Sequence, residues 1–273
     1  RVGVVKSCVP HRKRVTRSIV TSASENDSSQ ASPSIDKFVV PGEPYYPGMY
    51  ADWSVTKDDQ LEVWSYRVCL TTVAVTTLAC ASPAVFGKDL SFLSNNLSYF
   101  LGASSLGAAL YLIHMYVDPI KKFMQALWAV GFTGSVCIAL TTHESVPQYV
   151  AVHPAAVWLV GPMFAALTGV AFKEGMCYGK PECAALFFLI PATLLGHLSG
   201  IIDQGGEKNL IILWCLLITL FASRKYTQEV KDDIGDKSVF LFNAMSESER
   251  DEWLRLTMEK DPRRYQRLVS QER

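Results

Sequence analysis

Six stretches without Asp, Glu, Lys or Arg divide the middle of the chain: 68–87, 90–117, 123–143, 145–172, 183–202 and 209–223. A helix exposed to water keeps a polar face, and none of these stretches supplies one. A helix rises about 1.5 Å per residue and the hydrocarbon layer of a bilayer is about 30 Å thick, so roughly 20 apolar residues cross it. Five of the stretches reach that length. The last, NLIILWCLLITLFAS, gives about 22 Å and crosses if Lys208 and Arg224 snorkel or the bilayer thins. The pattern predicts an all-α, polytopic transmembrane helix bundle of about six spans, at about 64–86, 97–116, 123–140, 148–172, 183–202 and 209–223, with a small helical C-terminal tail. The lipid bilayer is its first partner.

Four sections follow from this pattern: 1–36, 37–63, the membrane domain 64–223 and the tail 224–273. Residues 1–23 hold the basic Arg1, Lys6, Arg12, Lys13, Arg14 and Arg17, no acid, and several Ser and Thr. That bias is expected of an organelle transit peptide, and a start at Arg1 is expected of a trimmed or partial chain. A Ser-rich linker comes next. The stretch VVPGEPYYPGMYADW, with its prolines and aromatics, reads as an irregular segment lying on the membrane surface, or else docked on the tail. SVTKDDQLEVWSYR reads as a capped amphipathic helix leading into the first span. In the tail, Ser246 and Glu249 have the spacing of a capping box, and Asp261-Pro262 starts a second short helix.

Small residues in span two (Gly102, Ala103, Ser104, Gly107 and Ala108) let another helix approach closely, and Gly161, Ala165 and Gly169 make span four the expected partner. Pro154, Pro162 and Pro191 predict kinks.

Net charge is zero, which hides a strong segregation. With six spans, Lys57, Arg67, Lys121, Lys122, Lys173, Lys180, Arg224, Lys225, Lys231 and Lys237 fall on one side, against Lys88 and Lys208 on the other. Ten basic residues against two place both termini in the compartment equivalent to the cytoplasm. No basic stripe exists to neutralise phosphates, so a nucleic-acid partner is not expected.

The segments YPGMYADWSVTKDDQLEVWSYR, GVAFKEGMCYGKPE and LIPATLLGHL together resemble an uncharacterised integral membrane family shared by cyanobacteria and plastids. The resemblance runs from about Val40 to the sixth apolar run. It implies a polytopic helical fold in a photosynthetic organelle, in the chloroplast inner envelope or thylakoid membrane, with both termini in the stroma. It carries no assigned activity and no functional residues.

Candidate chemistry concentrates between spans four and five, where Lys173, Glu174, Cys177, Lys180, Glu182 and Cys183 form a polar connector. His114 and Asp118, four residues apart on one expected helix face, end span two at the same depth. His114, Asp118, Lys173, Glu174, Cys177, Glu182 and Cys183 thus make a candidate functional polar cluster. Its ligand types suit a mixed metal site, whereas its spacing matches no zinc pattern; the simpler reading is interfacial groups that satisfy one another. On the opposite side His153 and His197 are candidate intramembrane groups. A buried polar residue in a span faces the bundle interior or a pathway, and haem ligation needs two histidines on facing helices. His143-Glu144 lacks the second histidine of a zinc-protease motif, and there is no phosphate-binding loop or dinucleotide fingerprint. The scattered cysteines do not suggest a disulfide framework.

Three functions fit. A non-enzymatic scaffold or assembly factor, binding other membrane proteins through its soluble flanks, fits best. A small-solute or ion permease draws support from the prolines and His197. A metal- or haem-binding redox protein rests on the polar cluster; no particular cofactor follows from the residues.

Overall fold

The computed structural model describes residues 39–271, apart from Pro41, Lys88, Asp89 and Phe92. The basic stretch 1–23 and the Ser-rich linker lie outside the described residues. Eleven α-helices are present among the described residues: α1 (Lys57–Phe86), α2 (Asn96–Leu112), α3 (Asp118–Thr142), α4 (Val146–Val152), α5 (Val157–Tyr178), α6 (Pro181–Ser199), α7 (Gln204–Arg224), α8 (Val230–Ile234), α9 (Lys237–Ala244), α10 (Glu247–Lys260) and α11 (Pro262–Gln271). Two strands of two residues each, β1 (Tyr45–Tyr46) and β2 (Trp53–Ser54), pair antiparallel.

Helix α1 starts at a complete capping box, Thr56 with Asp59, and runs 30 residues without a break, about 45 Å. The amphipathic lead-in and the first span are therefore one helix. Neighbours in the bundle are α1–α2, α2–α3, α3–α5, α5–α6, α6–α7 and α7–α1, which closes a ring of six. Its interior is filled by Leu70, Leu110, Val170, Leu186, Ile190, Ile218 and Phe221. Outside, Val130, Leu140, Trp158, Phe188 and Leu216 are exposed, an apolar girdle that water does not tolerate and lipid does.

Five helices, α1, α3, α5 with the turn before it, α6 and α7, are long and apolar enough to cross a membrane. The short member of the ring is α2, not the last span. Asp203 caps α7 at Gln204, five residues ahead of the charge-free run, so α7 gains length. By contrast α2 stops at Leu112, giving 17 residues or about 25 Å, because side chains of α3 take over its last carbonyls: Gln125 donates to Leu110 O (3.1 Å) and Lys121 to Ile113 O (2.7 Å).

Three local expectations fail for identifiable reasons. His114 and Asp118 do not share a helix face, because Ile113–Val117 leave the helix and Asp118 begins α3. Pro154 does not kink span four; it opens a 3-10 turn that separates α4 from α5. The small residues of α2 pack elsewhere than expected: Gly102 abuts Thr76 of α1 and Gly107 abuts Trp128 of α3. The tight seam of α5 is with α3, where a Cβ on Gly131 or Gly134 would strike the Met163 or Leu159 backbone.

The flanking segments fold onto each other at one end of the bundle. Tyr50 stacks on Phe242 with ring centroids 3.9 Å apart, and buried Trp253 packs edge-on against both. Asp236 accepts the Met49 N–H (2.6 Å) and Asp52 pairs with Arg264 (2.5 Å). Gly48 is required there, since a Cβ would run into Ala51 O, Ser238 Oγ and Asp236 Oδ1. These are the contacts of a segment docked on the tail rather than spread on a lipid surface. The capping box of Ser246 and Glu249 opens α10 as its spacing indicates.

Candidate functional site

The polar connector is two helix ends joined by a tight turn. Helix α5 continues through Lys173 and Glu174 to Tyr178, Gly179 turns the chain in the left-handed region (φ 60°), and α6 starts at Pro181. Winding residues 173–178 into helix points Lys173 and Glu174 into the bundle instead of into water, and both are buried.

Glu174, with no exposed surface, is the hub. Its Oε2 meets Lys180 Nζ at 2.9 Å and Lys225 Nζ at 2.7 Å; its Oε1 accepts from Lys173 Nζ and from Tyr66 OH, each at 3.3 Å. Lys225, at the end of α7, also pairs with Asp233 of α8. Asp233 in turn takes the Arg67 guanidinium at 2.6 and 2.8 Å, and Arg67 donates a further bond to Gln228 O at 2.8 Å. Lys180 donates to Gln228 Oε1 at 2.6 Å. Beside this network Arg224 holds Glu182 at 2.6 Å.

Four buried cations, Arg67, Lys173, Lys180 and Lys225, thus surround two buried carboxylates, Glu174 and Asp233. The remaining charge is met by aromatic faces. The Tyr178 ring lies 5.0 Å from Lys173 Nζ, 5.2 Å from Lys180 Nζ and 5.6 Å from Lys225 Nζ, with Tyr66 and Phe221 also facing Lys225. Buried charges survive only when paired and hydrogen-bonded, and removing one partner is far costlier than the pair is worth. The network therefore works as a clasp: it ties α1, the α5–α6 turn, the end of α7 and the start of the tail into one unit.

The other members of the sequence-derived cluster stand apart from this hub. His114 lies in the α2–α3 connection, 3.5 Å from Glu62, with its ring edge-on to Phe240. Burial, then the neighbouring Lys173 and Lys121 charges, hold its pKa down at about 4. The Glu62 carboxylate does not reverse this, being half-exposed and long in contact. Asp118 and Cys177 face outward, whereas Cys183 is buried. Among the described residues no three or more His, Cys, Asp or Glu converge as a metal site. Of its acids, Glu174 is committed to lysines and Glu182 to Arg224.

At the other end of the bundle His153 is exposed and stacks on Tyr149, ring centroids 4.2 Å apart, one turn away on α4. His197 joins three elements: its Nε2 lies 2.9 Å from Val150 O and its Nδ1 3.0 Å from Glu207 Oε1. Both ring nitrogens face acceptors, so the imidazole is occupied on both sides and does not pair with His153. His197 and Glu207 stand at the mouth of a cavity of about 320 Å³ between α1, α2, α5, α6 and α7, partly roofed by α4.

Residues 108–242 match a family described as uncharacterized integral membrane protein (DUF2301). That stretch, just under half of the chain, is similar to this family. No curated protein and no solved structure gives a significant match to the chain. The DUF2301 stretch contains Lys173, Glu174, Tyr178, Lys180, Glu182, Lys225, Gln228 and Asp233, nearly the whole clasp. Tyr66 and Arg67, and the α1 wall of the cavity, lie before it.

Arg67, Lys225 and Asp233 were not among the sequence candidates. Arg67 and Lys225 border apolar runs, where a basic residue ordinarily marks the interface and the side of the membrane. The available signal was Asp233: an acid eight residues beyond Lys225, in a tail whose charge is otherwise laid out in solvated helices.

Proposed function

We propose that the chain is a plastid integral membrane scaffold, a non-enzymatic assembly factor whose stromal platform binds other membrane proteins. The observation that carries this reading is the clasp. The tail is fastened to the bundle through Arg67, Lys225 and Asp233 and again by Lys237 on Asp59, and it holds the N-terminal segment through Arg264 on Asp52. A rigid platform presents the same face to every partner, whereas a transporter must let its halves move. The ionic groups are also turned on one another and not towards the cavity. The plastid setting is supported by the acid-free basic residues 1–23, and the stromal side by the excess of basic residues at the clasp end.

The test is co-purification from plastid membranes in mild detergent. The full chain is expected in a complex heavier than a lone particle, and deletion of 245–271 is expected to release it. A full chain that runs alone and monodisperse contradicts the reading.

The cavity favours a second reading, a permease for a small solute. Below Leu106 and Leu167, however, Leu70, Leu110, Val170 and Phe221 fill the bundle towards the clasp. Solute flux into liposomes carrying the purified chain supports the permease; flux equal to that of empty liposomes discards it.

A further inference from the structure

We propose that the cavity between α1, α2, α5, α6 and α7 binds one acyl chain of a membrane lipid, with the lipid's polar end at His197 and Glu207. Three observations converge on this occupant. The first is the wall, which is apolar: Val73, Leu106, Met163, Leu167 and Trp214. Its hydroxyls are already spent, Thr76 on Thr72 O (2.8 Å), Thr77 on Val73 O (2.7 Å), Thr193 on Leu189 O (2.8 Å) and Tyr99 on Ser135 (2.8 Å). The buried Trp214 indole N–H has no partner, but one donor falls short of the roughly two to four polar partners that hold a water, so the wall favours apolar matter.

The second is shape. At about 320 Å³ the cavity stands near the lower end of ligand pockets, which span about 300–1,000 Å³. Along α1 it reaches from Ala84 to Val73, about 16 Å at helical rise. A lining that runs this far along α1 accommodates an extended acyl chain.

The third is place. Around the mouth, Phe86, Leu97, Val152 and Ile201 are all more than two-thirds exposed, an apolar collar that sets this end against hydrocarbon. The molecules at hand there are lipids. The carboxylate of the lining stands at the rim, where Glu207, paired with His197, faces a headgroup and leaves the interior to the tail. The inference does not rest on the scaffold reading; a scaffold or a permease would carry the same site.

The test uses the full chain in phosphatidylcholine vesicles that contain phosphatidylcholine with a diazirine in mid-chain. After irradiation, adducts are mapped by mass spectrometry. Adducts are expected on Met163, Cys215 and other wall residues as well as on the girdle residues Leu140 and Phe188, and not on Leu110, which is equally buried but away from the cavity. Filling the cavity with Cys80→Trp and Cys215→Trp is expected to cut labelling of Met163 at least tenfold and leave the girdle labelling unchanged, which also reports that the bundle is folded. Met163 labelled no more than Leu110 in the unaltered chain overturns the proposal without recourse to any variant. So does labelling of Met163 that persists in a filled bundle.

Discussion

The two ends of the bundle solve the problem of polar groups near lipid in opposite ways. At the clasp end, six buried charges and three aromatic rings are packed against one another, with Glu182 Oε1 beside them left unpartnered, and Glu174 alone contacts three lysines and a tyrosine. At the other end, among the described residues, there is one histidine–carboxylate pair, 3.0 Å apart and partly solvated, beside a cavity. Burial explains the difference. A charge that cannot reach water must find partners, so the clasp end becomes rigid. A pair that keeps some water exerts little pull, so helix ends there can stand apart.

This contrast is open to direct attack by mutation. The largest effect is expected for Glu174→Ala, which takes the shared carboxylate from Lys173, Lys180 and Lys225 and leaves Lys180 only Gln228 and Lys225 only Asp233 as polar partners. A loss of about 3–5 kcal/mol is expected, read as a collapse of the unfolding transition in detergent or nanodiscs. Asp233→Ala takes from Arg67 its carboxylate and from Lys225 one of two, and is expected to cost about 3 kcal/mol. Its distinguishing sign is release of the tail, seen as rapid protease cleavage between Lys225 and Gly235 with the bundle intact. Trp128→Phe removes the indole N–H that reaches Ala103 O at 2.7 Å across α3 and α2, for about 1 kcal/mol. At the cavity end His197→Leu is expected to cost only about 0.6 kcal/mol, the usual size of a hydrogen bond between membrane helices. Should His197→Leu prove as damaging as Glu174→Ala, the contrast between the ends is wrong.

An effect that is nil at neutral pH and grows only on acidification sharpens the same comparison. The His114 imidazole takes a proton less readily in the folded chain, near pH 4, than at its ordinary value of 6.5. The unfolded chain therefore binds more protons in that window, and folding stability drops as pH falls from about 6.5 towards 4 while staying level above it. His114→Gln is expected to flatten the stability profile in this range. An unchanged slope means that His114 is not held neutral by burial and by Lys173 and Lys121.

The bundle was legible because lipid imposes a coarse rule, long runs without charge, that the sequence either obeys or does not. The site was only half legible. Lys173, Glu174 and Glu182 were recognisable as chemically capable groups, yet their chemistry is pairing, and the pairs that close the network, Lys225 with Glu174, Arg224 with Glu182 and Arg67 with Asp233, each join residues 40 or more apart in sequence. No local spacing encodes such a meeting. Likewise the seam of α3 against α5 rests on Gly131 and Gly134, three apart, a pattern overshadowed by the richer set of small residues in α2. The cavity left no mark at all, since the residues that line a void are of the same kinds as those that fill one.

Hydrogen–deuterium exchange of the full chain in nanodiscs tests the central claim most directly, because it reports both ends in one experiment. The amides of 174–184 and 224–234, which the clasp holds, are expected to exchange slower by on the order of a hundredfold than those of 143–153 and 200–206 around the cavity mouth. Equal exchange at the two ends, or faster exchange at the clasp, would contradict the account.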